Sequence, residues 1–92
     1  MSPELKAALA AAQRATLDLH GLMVVHGIHS FGELHLLLAK PAGLGAAQKF
    51  WSDRMVDLIR AMAGDEGIGD PTKLSERDQI ALTHRAYDLV MS

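Results

Sequence analysis

Four of the five histidines fall inside one short stretch, HGLMVVHGIHSFGELH, as His20, His26, His29 and His35. Clustered imidazoles can ligate a metal or haem, or carry a charge that switches near neutral pH. A helical metal site wants neutral imidazoles converging from fixed positions, commonly with an i, i+4 pair. The spacings here are six, three and six. Residues six apart on one helix point about 120° from each other, so His20 and His26 form no clamp. His26 and His29 straddle Gly27, and His35 follows with Glu33 close by. If the chain held a metal, His26, His29 and His35 would be its ligands. The HExxH pattern is absent. A plainer account covers the same residues: His26 near a helix C-terminus is favoured by the dipole, and His29 sits in a turn. No cofactor is expected.

Other catalytic patterns are thinner still. Ser30 follows His29, but Ser30-Phe31-Gly32-Glu33 reads as a capping box. In that box Ser30 accepts from the Glu33 amide while Glu33 reaches back to the cap. The GxSxG nucleophile elbow is missing. Asp65 and Glu66 lie in a glycine loop without the spacing of a calcium loop, and Gly67 and Gly69 lack the third glycine of a dinucleotide loop. With no Cys, disulfides, thiolate catalysis and Cys-based metal sites fall away. The chain is therefore expected not to be an enzyme.

Nucleic acid is disfavoured by charge. Nine Lys and Arg oppose eleven Asp and Glu, a net −2 with no basic run, whereas phosphate neutralisation dominates DNA affinity. A helix-turn-helix alternative exists in LLLAKPAGLGAAQKFWSDRM, where Gln48, Lys49, Ser52 and Arg54 would face the duplex. Its connector is longer than the usual turn, and Asp53 and Asp57 stand among the cations.

The elements that hold these residues are helices. Hydrophobic residues make up 49% of the 92. Ala and Leu lead them, with only four aromatics and few β-branched residues, which points to an all-α protein. Ser2-Pro3-Glu4 opens a helix over 3–26, with Leu5, Leu9, Ala12, Thr16, Leu19 and Met23 on one side and Gly27 as its stop. A second helix is predicted over 31–39, with Phe31, Leu34, Leu37 and Leu38 inward and Pro41 beyond. The third runs over 46–63 with Trp51, Met55, Leu58, Ile59 and Met62 inward. Ser75 and Asp78 open the fourth, over 76–91, with Ile80, His84, Tyr87 and Met91 along one side. These predict a small four-helix domain spanning 1–92, packed as an irregular bundle.

The uncharged stretch Leu19 to Phe31 is broken by three His and two Gly, too short and too polar to span a membrane. No signal-peptide pattern opens the chain, so the expected location is the cytoplasm. The functional signal lies in apolar residues off the inward stripes: Leu17, Val24, Phe50, Leu82 and Leu89. Several together on so small a chain suggest a second contact surface. The expectation is a protein-protein interaction module with a regulatory or inhibitory role, such as an antiactivator or immunity-type protein. Its partners are another protein and a second copy of itself in a homodimer. DNA binding and a His-held metal or haem stand as the alternatives.

Overall fold

The computed structural model describes all 92 residues. Four helices follow one another: α1 (Pro3–Val25), α2 (Phe31–Leu36), α3 (Leu44–Asp65) and α4 (Glu76–Met91), with a 3₁₀ turn at Pro71–Lys73 before α4. Three of the starts use serine caps. Ser2 Oγ accepts from the Leu5 N–H, Ser30 Oγ from the Glu33 N–H and Ser75 Oγ from the Asp78 N–H, at 3.1, 3.1 and 3.2 Å. Each satisfies one amide that a helix start leaves without a partner. Glu33 departs from the expected box: its Oε2 accepts from the His29 N–H at 2.7 Å, one residue ahead of the cap.

The two long helices stop alike. Gly27 and Gly67 take φ of 70° and 73°, which lets Ile28 donate to the Met23 carbonyl and Ile68 to the Ala63 carbonyl. This is the Schellman arrangement, and its apolar residue packs back onto the helix; Ile28 is buried and Ile68 half-buried against the core. Gly27→Ala is expected to cost about 1–2 kcal/mol, because a Cβ is strained in the left-handed region. Gly21 is the opposite case, exposed within α1 with nothing near its missing Cβ. Gly21→Ala should add about 0.5–1 kcal/mol by restricting the unfolded chain. Thermal melts of the two variants should move in opposite directions; shifts of the same sign would contradict this placement of the α1 terminus.

Packing follows from a few pairs. Thr16 touches Trp51 and Leu5 lies beside Met62, so α1 and α3 run antiparallel. Tyr87 reaches Trp51 on one side of α4, while Arg85 and Leu89 reach Glu66 and Met62 on the other and Leu82 lies over Val56 and Ile59, so α4 crosses α3 steeply. Short α2 lies along the first half of α3, with Phe31 on Trp51 and His35 against Gln48. The shared interior is a cluster of 16 buried apolar residues. On α1 and α3 the buried faces are the expected ones, including Leu5, Ala12, Leu19, Met23, Trp51, Met55, Leu58 and Met62.

Three sequence expectations are corrected. First, α2 ends at Leu36 rather than 39; Leu37 is extended and exposed, Leu38 is fully exposed, and Leu34 alone of the helix is buried. Breaking there turns the chain so that Lys40 comes back against Gly45 at the start of α3. Second, α3 is longer than 46–63 at both ends, because Gly43 (φ 83°) and Gly67 supply the left-handed turns while Gly45 and Gly64 are absorbed into the helix. Third, α4 is rotated. Leu82, Ala86 and Val90 face the core, and Ile80, Tyr87 and Met91 are exposed.

Asp70 holds the 3₁₀ turn. Its Oδ1 accepts from the Thr72 hydroxyl at 2.7 Å and from the Thr72 N–H at 3.0 Å, and these bonds lower its carboxyl pKa below the ordinary 3.8. A lowered acid favours folding above its unfolded value, and that small benefit is lost as pH falls through the folded one.

Candidate functional site

Of the five residues expected on a contact surface, three are exposed: Leu17 at 68%, Val24 at 65% and Phe50 at 53%. Leu17 and Val24 share the side of α1 that faces away from α3. Phe50 is partly occupied, since the Arg54 guanidinium sits 4.8 Å from its ring centre while pairing with Asp57. Leu82 and Leu89 are not surface residues. Leu82 is 2% exposed and belongs to the core, and Leu89 is half-buried against it.

The roomiest recess is a groove of about 460 Å³ between α1 and the end of α4, with the start of α2 as its third wall. Gln13, Thr16, Leu17 and His20 line it from α1, Phe31 from α2, and Val90 and Met91 from α4. None of the seven is a Lys, Arg, Asp or Glu. Leu17 and Met91 remain exposed, whereas Val90 and Thr16 are buried. A smaller recess of about 150 Å³ beside Arg60 and Thr72 falls below the usual range of ligand pockets, roughly 300–1,000 Å³.

The groove stands on a fixed base. Phe31 stacks on Trp51 with ring centres 5.0 Å apart, and Tyr87 lies 6.0 Å from Trp51 on the α4 side. Trp51 Nε1–H donates to Thr16 Oγ1 at 2.9 Å, and that hydroxyl donates onward to the Ala12 carbonyl at 2.7 Å. The indole is thus tied to α1, α2 and α4 at once. Phe31, Val90 and Met91 were not legible as one surface in the sequence, because they come together only when the chain's middle meets its end.

The histidine cluster does not assemble. His20, His26, His29 and His35 are all exposed, and no three His, Asp or Glu side chains converge closely enough to hold a metal ion. His35 Nδ1 lies 3.3 Å from Gln48 Nε2, so it turns to α3 rather than to His26 and His29. The cations proposed to read DNA are likewise engaged: Lys49 pairs with Asp53 at 3.2 Å and Arg54 with Asp57 at 3.0 Å. Ser30 spends its hydroxyl on the cap of α2. No helix is long and apolar enough to cross a membrane.

The architecture present here is an all-helical bundle of four helices with this groove open between α1, α2 and α4. No family model, no curated protein and no solved structure matches the chain.

Proposed function

We propose that the chain is a small cytosolic protein-interaction module that acts by occupying another protein's surface, in a regulatory or inhibitory role. The groove between α1 and α4 receives an amphipathic helix of the partner. One observation carries this reading: an uncharged apolar groove, backed by an immobilised Trp51, keeps Leu17 and Met91 exposed at its edge. The absence of charge selects a partner face that is itself apolar, since an unpaired charge buried there would be costly.

Selection of helical peptides from a display library tests the reading. Binders are expected to share an uncharged apolar face at i, i+3, i+4 and i+7 and to shift the fluorescence of Trp51, the only tryptophan. Leu17→Asp or Met91→Asp should weaken them by roughly ten- to a hundredfold, the worth of one buried apolar side chain, with unchanged helicity. Binders that tolerate both substitutions together would place the site elsewhere.

A further inference from the structure

The end of the bundle where α3 begins is apolar in a way the groove does not account for. Because α1 runs antiparallel to α3 and α2 lies along it, the last turn of α1 and the segment after α2 reach that same end. Val24, Val25, Leu36, Leu37 and Leu38 are all exposed there, Leu36 at 82% and Leu38 at 106%. Leu36 to Ala39 is a run that suits a helix, yet α2 breaks and Leu38 contributes nothing to the interior. Charge is sparse there as well. From Leu19 to Ala39 the sole charged residue is Glu33, whose carboxylate is engaged by the His29 N–H; the other nineteen of the twenty Lys, Arg, Asp and Glu lie outside that stretch.

We infer that this end is a self-association surface, and that its occupant is a second copy of the chain. The inference rests on the reading of the chain as an interaction module but uses the end of the bundle, where Val24 lies two turns along α1 from the groove's Leu17. A two-fold interface sets the same patch against itself, so any net charge in it repels its own image. The stretch from Leu19 to Ala39, which supplies most of this end, is where the chain carries least, with Lys40 the cation next to it. An imidazole can take part in hydrogen bonds through either ring nitrogen, so the exposed His26, His29 and His35 can pair with their counterparts. Four of the five apolar residues are more than 60% exposed, so together they can supply much of the ~800 Å² per partner of a standard interface. An anionic lipid surface fits less well, because membrane-binding patches depend on clustered Lys and Arg and Lys40 stands alone in the segment between α2 and α3.

Sedimentation equilibrium on the pure protein, from micromolar to millimolar concentration, tests this. Wild type is expected to follow a monomer–dimer equilibrium. Leu38→Glu should weaken it by roughly a hundredfold or more, since the two-fold contact contains the change twice, and Leu36→Lys should do likewise. Both side chains lie outside the core, so circular dichroism should be unchanged. Leu17→Asp and Met91→Asp in the groove should leave the dimer intact, so that failure here is separable from failure of the groove. A wild type that stays monomeric throughout overturns the inference. So does a dimer that survives both leucine variants, a dimer lost in the groove variants, or a monomer that floats with phosphatidylglycerol-containing vesicles through Leu38.

Discussion

A Leu82→Glu variant is expected to lose its cooperative thermal transition, while Ile80→Glu, two residues earlier on α4, melts close to wild type. Leu82 is buried in the common core and Ile80 is more than half exposed. Removing the leucine forfeits about 1.5–3 kcal/mol of apolar burial, and an unpaired carboxylate in its place costs several kcal/mol more. A domain of this size has about 5–15 kcal/mol to lose, so the sum approaches or exceeds its whole stability. At exposed Ile80 the change should stay within about 0.5 kcal/mol. Urea melts followed by circular dichroism decide the matter. The reverse pattern, with Ile80→Glu unfolding the chain and Leu82→Glu harmless, would mean that α4 packs with its other face inward.

The second large effect centres on Trp51. Trp51→Ala should cost about 3–5 kcal/mol, because the indole is the point where α1, α2 and α4 all meet α3. Thr16→Val isolates the polar part of that junction. The shape is kept, but the buried indole N–H loses its acceptor, at about 1–3 kcal/mol. Thr16→Ser keeps the hydroxyl and should lose less than Val. Denaturant midpoints of the three variants, with tryptophan fluorescence as the probe for the two Thr16 changes, test the order Ala at 51, then Val at 16, then Ser at 16. A Thr16→Val protein as stable as wild type would show that the Trp51–Thr16 bond contributes nothing net. The same variant should also loosen the groove wall, since Thr16 and Phe31 both line it.

The long helices were readable because each has enough turns to define one dominant apolar stripe. In α1 the residues at three- and four-step spacing from Leu5 to Met23 are the inward ones, and Leu17 and Val24 are on the far side. Helix α4 was not readable in the same way. It carries two apolar stripes, one with Ile80, Tyr87 and Met91 and one with Leu82, Ala86, Leu89 and Val90. Bulk favours the first, but the core takes the second. Ala86 is fully buried, as are Ala12 and Ala63, and small side chains let helices approach closely. Periodicity within a helix cannot express that preference, because it belongs to the pair of surfaces.

The candidate sites divide along the same line. Exposure of Leu17, Val24 and Phe50 could be inferred from their angle to the stripes, whereas the groove needed Phe31 to meet Val90 and Met91. Sequence alone places the leucines after α2 inward, because nothing in Leu36-Leu37-Leu38 announces a break before Pro41.

Local chemistry determined the all-helical class, the serine starts at residues 2, 30 and 75, and the glycine stop at 27, since capping and left-handed turns depend on a few adjacent residues. Tertiary structure alone decided which face of α4 is buried, where α2 stops, and that the imidazoles stay apart. Each of these is a choice between surfaces of similar local preference. Only the shape and packing of the opposing helices separates them.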